Sequence, residues 1–370
     1  KLTKIRNPQG HEIQFFYGDN GYLCQVIDSV GRNLDVTTNQ QGRITQVALK
    51  EDNQEAHVLV CYAYNQEQDL EKITDAVGAD TCLKYRNHLL IRKTDRNRNS
   101  FYWEYDKYED GARAVRTWGD GDVLSLWIDY YDEERYNTVR TGRESLPSEY
   151  HYNEKMLCTK IVYPDLTEIR EDYNDRYQLV SRVDEEGRFT LYQYNDWSQV
   201  TAITLADASK VLFSYDEHGR LVETTNPEGG SRQWIYNDDD TLEKTVDEAG
   251  TETDYQYNQY KLVETVTYAN KAEVHLEYDR HLNISKVTLP DGSSSSWEYD
   301  QRGNCLTAKN PLGAVETYQY DNLNRMIRAK LADGNEIQLT YDGYQDVIRA
   351  KDRKTEVDFT YTILGSLASR

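Results

Sequence analysis

Apolar and polar residues along this chain follow two periods, one short and one long. The short period is two. In Phe213-Ser214-Tyr215, Trp234-Ile235-Tyr236 and Trp297-Glu298-Tyr299, two rings flank one residue, so both rings point to the same side of a strand. The long period is 21. A Tyr followed by Asp or Asn stands at Tyr131, Tyr152, Tyr173, Tyr194, Tyr215, Tyr236, Tyr257, Tyr278, Tyr299, Tyr320 and Tyr341, and every step is 21 residues. The register extends backwards to Tyr105, Tyr85, Tyr64, Thr38 and Tyr17 and forwards to Tyr361, which makes seventeen units, sixteen of them anchored by Tyr. Two further columns keep step. Six residues after the anchor, fifteen of seventeen units are apolar, with Gly111 and Asn137 as exceptions. Two residues before it, fifteen of seventeen are apolar or aromatic, with Asp129 and Glu171 as exceptions. At 38% apolar content, about six per column would arise by chance.

Each unit reads as a β-hairpin. The ring-x-Tyr strand runs into Asp/Asn-x-x-Gly/Asn, as in Asp216 to Gly219, where Asp bonds its own backbone and Gly accepts positive φ. A second strand follows, as in Arg220 to Thr224, and a closing turn often carries Pro (Pro164, Pro227, Pro290, Pro311). One hairpin cannot bury its own face, so neighbours must continue a common sheet. Seventeen hairpins give about 34 strands and, at about 4.8 Å per strand, a ribbon about 160 Å long. A twisted ribbon of that length must curl, and closed into one turn it would be about 50 Å across. The predicted fold is all-β: tandem hairpins of about 21 residues forming a curled, spiralling β-ribbon, a section of a hollow barrel. The anchor rings would form a ladder on one face. One continuous array is expected over 1–370, with insertions near 45–60 and 111–125, where the step lengthens to 26. A propeller would need units alternating with a 42-residue period, and consecutive units here look alike.

Charge narrows the function classes. The 370 residues carry 43 Lys+Arg against 64 Asp+Glu, a net charge of −21. That excludes a sequence-independent nucleic-acid binder, which needs clustered positive charge, and docking on anionic lipid. No apolar run approaches the roughly 18 residues of a membrane span. The 31 Tyr and 6 Pro exclude disorder and favour strand. The first residue is Lys1 with no apolar leader after it, and the array reaches Arg370 inside a repeat, so the chain is expected to be a piece of a larger protein. The five Cys (Cys24, Cys61, Cys82, Cys158, Cys305) form neither a disulfide framework nor a CxxC site; buried free thiols and assembly in a reducing cytoplasm are expected.

Candidate chemistry is sparse. The seven His are scattered over different columns, none at a ligand spacing from Cys, Asp or Glu, so no metal and no cofactor are expected. Calcium needs six to eight oxygens; Asn237–Asp240 and Asp129–Glu134 lack the spacing, and Gly119-Asp120-Gly121-Asp122 is the better candidate. There is no G-x-S-x-G and no Cys/His arrangement. The marked residues recur as structure requires, whereas an active site needs a unique set, so the chain reads as non-enzymatic. Trp118, Trp127 and Trp197 lie outside the repeat columns and are the aromatics most free to take a ligand such as a sugar ring.

Tyr215-Asp216-Glu217-His218-Gly219-Arg220-Leu221 resembles the Tyr-Asp-x-x-Gly-Arg-Leu signature of the Rhs, or YD-repeat, family. Thr38 to Ile44 and Tyr361 to Leu367 are close variants, and Arg116 to Asp122 is similar to an Arg-Thr-Trp-Gly-Asp-Gly segment of its bacterial members. The likeness runs over essentially the whole chain. The signature residues carried over as structural are Tyr152, Tyr173, Tyr194, Tyr215, Asp216, Gly219, Arg220, Leu221, Tyr236, Tyr257, Tyr278, Tyr299, Tyr320 and Tyr341. The resemblance implies a hollow cocoon that encloses the protein's own C-terminal toxin domain for delivery to competitor or host cells. It implies manufacture in a bacterial cytoplasm followed by secretion or surface delivery, type VI secretion in many members, and an immunity protein as a further partner. It also implies the alternative, a carbohydrate-binding or adhesin-like surface protein whose partners are glycans. The Pro…Asp-Pro-x-Gly-Leu core segment of the family has no counterpart here, and neither does its self-cleavage site.

Overall fold

The computed structural model describes residues 1–7, 9–50 and 56–370. Within them lie 36 strands, numbered from β1 (Lys4–Arg6) to β36 (Leu367–Ser369), and one short 3₁₀ turn, Asp120–Asp122. Thirty-four strands belong to one antiparallel sheet, while β35 (Thr360–Tyr361) pairs with β36. The all-β hairpin array read from the periodicity is the fold observed.

The signature unit shows why the hairpin forms. In β20 (Lys210–Tyr215) and β21 (Leu221–Thr225), Phe213 faces Thr224 and Ser214 faces Glu223, and then the register slips so that Tyr215 faces Leu221. The slip comes from the turn. The Gly219 amide donates to the Asp216 carbonyl and the Asp216 amide to the Arg220 carbonyl, both at 3.0 Å, with Gly219 at φ 78°. One left-handed residue closes the loop and leaves a bulge, which adds twist. Other units place a non-glycine residue there or in the closing turn, including Tyr177 at φ 63° and Leu166 at φ 69°.

The two faces of the sheet differ in chemistry. On the anchor face, large rings lie opposite small or β-branched residues: Tyr192 and Ile203, Trp234 and Thr245, Trp297 and Ala308, Tyr318 and Ala329. The other face carries ion pairs between neighbouring strands, Lys160–Glu168 at 2.8 Å, Lys244–Glu252 at 2.7 Å and Lys286–Glu277 at 2.8 Å. Among the described residues, the buried hydrophobics are Val36, Ala48, Leu49, Ile169, Ala202 and Ala329, and no large side chain is fully buried. The accessible surface is 23176 Å², where a compact globule of this mass would show about 15,000 Å². The thin core corrects the expectation of buried thiols: the five cysteines are free, but Cys24 is exposed and the other four are only half-buried.

Contacts divide the chain into two units. The first comprises Lys1–Phe101, Gln256–Thr267 and Lys271–Arg370; the second comprises Tyr102–Tyr255 and Tyr268–Asn270. In the first unit, two arms far apart in sequence meet turn against turn. His11 Nε2 lies 2.9 Å from the Tyr260 carbonyl, and His57 Nε2 lies 3.2 Å from the Asn322 carbonyl. The insertion near 45–60 is a lengthened hairpin of β5 (Ile44–Lys50) and β6 (His57–Tyr64), and its connecting residues 51–55 lie outside the described residues. In the second unit, the insertion near 111–125 begins with a wide loop closed by the Asp106 amide on the Arg113 carbonyl at 3.0 Å. It ends in a turn closed by the Gly119 amide on the Val123 carbonyl at 2.7 Å.

Candidate functional site

The chemistry of this protein is concentrated in a strap repeated between neighbouring hairpins. Asp216 Oδ1 accepts the backbone amides of His218 and Arg220, both at 2.9 Å. Its Oδ2 accepts Arg220 Nε at 2.7 Å. Arg220 then reaches into the next hairpin, with Nη1 donating to Asp240 Oδ1 at 2.7 Å and the guanidinium 4.7 Å from the Tyr236 ring centroid. Burial pushes the Asp216 carboxyl up, but the Arg220 amide and guanidinium and the His218 amide outweigh it and hold the group below the usual carboxylate range. Arg325 repeats the arrangement: Nε to Asp321 Oδ2 at 2.7 Å, Nη1 to the Asp342 carbonyl at 3.0 Å, and 4.8 Å from the Tyr341 centroid. Where the column holds Asn304, its amide bridges Asp300 Oδ2 at 2.8 Å and Asn324 Oδ1 at 3.0 Å.

The anchor hydroxyls complete the strap. Tyr194 donates to the Leu179 carbonyl, Tyr215 to Val200, Tyr236 to Leu221, Tyr278 to Val263 and Tyr341 to Met326, at 2.6–3.0 Å. Each acceptor stands six residues after the preceding anchor, so two columns recognised as separate are one hydrogen-bonded contact. Tyr173 departs from the pattern. Its hydroxyl donates to Glu171 Oε2 at 2.8 Å, and burial together with that carboxylate pushes it up to about 12. The Tyr152 hydroxyl lies 3.5 Å from Asn137 Nδ2. Tyr257, Tyr299 and Tyr320 are half-buried at their strand ends, and burial pushes the Tyr299 and Tyr320 hydroxyls up. A Cβ on Gly219 would stand 3.3 Å from Gln199 Nε2, and that Nε2 donates to the Gly219 carbonyl at 2.7 Å.

One strap has reversed polarity and was not legible in the spacing. Asp69 occupies the column of Arg220, and His88 of the next hairpin meets it, Nδ1 to Oδ1 at 2.7 Å. His88 arrives there because Asn87 and His88, at φ 49° and 65°, form a two-residue turn between β8 (Asp80–Arg86) and β9 (Leu89–Thr94). The Asp69 contact raises the His88 pKa and lowers that of Asp69. Potential ligand atoms of Glu67, Asp69 and His88 lie within 4.8 Å of one another, a group the scatter of histidines along the chain did not suggest. The shortened step at this hairpin and an acidic residue in the strap column were the available signals.

The calcium candidate is engaged otherwise. Tyr102 hydroxyl donates to Asp120 Oδ1 at 3.0 Å, Ser125 Oγ to Asp122 Oδ1 at 2.5 Å, and Arg116 lies 3.4 Å from Asp122. Two of the three tryptophans read as free are also packed. The Arg116 guanidinium lies 4.3 Å from the Trp118 centroid and 4.8 Å from that of Trp127, and Trp118 stacks on Tyr102 at 5.3 Å. Cross-strand pairing of Arg116 with Trp127 closes this sandwich. Trp197 alone of the three projects outward, 67% exposed. Shallow grooves lie beside the straps; one of about 630 Å³ is lined by Asp279, His281, Trp297, Tyr299 and Arg302.

Comparison with known proteins agrees with this geometry. No curated protein sequence matches the chain. Solved structures share the fold: the Photorhabdus luminescens Tc holotoxin pore, at TM-score 0.51, 11% identity and 97% of this chain, and the TcdB2-TccC3 crystal structure, at 0.52, 10% and 98%. The chain spans about a quarter of the length of each, 25% and 26%. The RHS Repeat family model matches residues 194–232 and 278–315, two stretches that include the Asp216–Arg220 and Asp300–Asn304 straps. The repeat signature, the strap geometry and the shared fold all agree with RHS repeats in those two stretches.

Proposed function

We propose that this chain is a wall segment of a protein shell that encloses the C-terminal toxin domain of the longer protein to which it belongs. The observation that carries the reading is the single-layered sheet with two unlike faces. The anchor face is rich in rings and β-branched residues yet lacks a covering layer among the described residues, and the opposite face is laced with ion pairs. The anchor face offers the larger ring area to a client, while the ion-paired face also exposes Leu191, Leu212 and Ile235 between its charges. We assign the anchor face to the enclosed client. The signature residues serve the wall rather than chemistry: the anchor hydroxyls bond backbone carbonyls and the turn carboxylates cap amides. One protein that shares the fold is a Tc holotoxin pore, which accords with a toxic client.

The test is limited proteolysis of the longer protein that carries this array. Its C-terminal domain is expected to resist protease while the wall is folded and to become cleavable once the wall is unfolded. Cleavage of that domain at the same rate in both states would sink the reading. Saturable glycan binding by the chain, lost on Trp297→Ala, would move the assignment to a surface-binding protein.

A further inference from the structure

Where the two arms of the first unit meet, one contact joins side chains of both arms. Asn97 uses both ends of its side-chain amide: Nδ2 donates to Asp342 Oδ2 at 2.8 Å, and Oδ1 accepts the Gly343 amide at 2.6 Å. The hydroxyl of Tyr344 donates to Oδ2 of Asp95. Asp95 is 7% exposed, and its Oδ1 already caps the Asn97 and Asn99 amides at 2.9 Å. Gly343 has no room for a side chain. A Cβ there would stand 2.5 Å from Asn97 Oδ1 and 2.7 Å from the Arg96 carbonyl carbon.

We propose that Asp342-Gly343-Tyr344 and Asp95-Arg96-Asn97 form a latch that sets which repeat of one arm meets which repeat of the other. The contacts that His11 and His57 make across the arms each end on a backbone carbonyl, which every residue supplies. They cannot tell one repeat from its neighbour, because the repeats are near-copies. The latch can. Gly343 is the sole glycine at the second position of the first turn across the seventeen units, and no other unit follows such a glycine with Tyr. A slip of one unit would bring Asn322 or Ile363 to the slot, and either side chain would run into the Arg96 backbone. A near-periodic ribbon needs such an aperiodic mark, since periodicity alone leaves the register weakly specified. The latch stands whether or not the wall encloses a client.

Hydrogen exchange of the whole chain, read by mass spectrometry, tests it. In Asn97→Ala, and separately in Gly343→Asn, which installs the residue the preceding unit carries, exchange is expected to rise at least tenfold in 95–101 and 342–346. Exchange in 189–236 and the strand circular dichroism should stay unchanged. Tyr344→Phe, which removes only the hydroxyl, should give a smaller rise confined to the same two segments. Unchanged exchange in both of the first two variants would overturn the latch. So would a uniform rise through 189–236, since the contact would then be general stability rather than register.

Discussion

Tyr215 shows how one residue can be both strand and strap. Its ring lies on the anchor face, and its hydroxyl spans to the Val200 carbonyl at 2.9 Å, tying its hairpin to the one before. Tyr215→Phe keeps the ring and leaves that half-buried carbonyl without its donor, so a loss of about 1 kcal/mol is expected in denaturant melts. A loss below the error of the melt would mean that water replaces the hydroxyl at no cost. Leu166 makes the opposite case. It is 82% exposed and sits at φ 69°, so it holds left-handed backbone without burying its side chain. Relief of that conformation is worth about 1–2 kcal/mol, less about 0.5–1 for the freedom glycine adds to the unfolded chain. Leu166→Gly should therefore stabilise by about 0.5–1 kcal/mol. A lower melting midpoint would show that Leu166 makes a contact its exposure conceals.

At the scale of hairpins, the strap couples each element to the next, and Asp69–His88 makes that coupling depend on pH. The Asp69 carboxylate raises the His88 pKa above its ordinary 6.5. A raised value means that the folded state favours the charged ring. The contribution is complete below pH 6.5 and is lost as pH rises through the raised value. An NMR titration should place His88 above 6.5, and Asp69→Asn should return it towards that value; the same midpoint in both proteins would break the strap as described. Elements of this kind also mark what could be read before folding. Strands, turns and the two contact columns were legible because period-two alternation and Asp/Gly turn chemistry are local. The joining of those columns through the Tyr236 hydroxyl and Leu221 carbonyl was not, since a pattern of side chains does not say which backbone atom a ring reaches. The Arg116 sandwich between Trp118 and Trp127 and the meeting of Asn97 with Gly343 were hidden for a different reason. The first depends on the register of Arg116 on Trp127 across an irregular turn, and the second on how the ribbon brings together segments far apart in sequence, which no short window contains.

For the whole chain, a thin core shifts the burden of stability from buried volume to many repeated polar contacts, as in other repeat proteins whose units each touch only their neighbours. Those contacts titrate at both ends of the pH scale. The Arg188 guanidinium, bonded to the Asp184 side chain, holds that carboxyl below its ordinary 3.8; for Asp216, amides and the Arg220 guanidinium achieve the same against burial. A depressed value gives stability that is present above pH 3.8 and lost as pH falls through the native value. The tyrosines act in the other direction. Burial raises Tyr194, Tyr236, Tyr278 and Tyr341 above 10.0. Tyr173 and Tyr318 reach about 12, the first mainly through burial and the second mainly through its bond to Glu316. Their contribution is complete below pH 10.0 and is lost as pH rises towards the native values. Tyrosinate absorbance of the native chain should therefore show a fraction titrating well above pH 10, accompanied by loss of strand signal, while the same chain in denaturant titrates in one step near 10. In Glu171→Gln and Glu316→Gln together, the latest part of the native curve should move to lower pH, because the carboxylates that hold those two hydroxyls protonated are gone. Superimposable native and denatured curves would mean that the anchor hydroxyls face water, and the strap would then not be what holds neighbouring hairpins together.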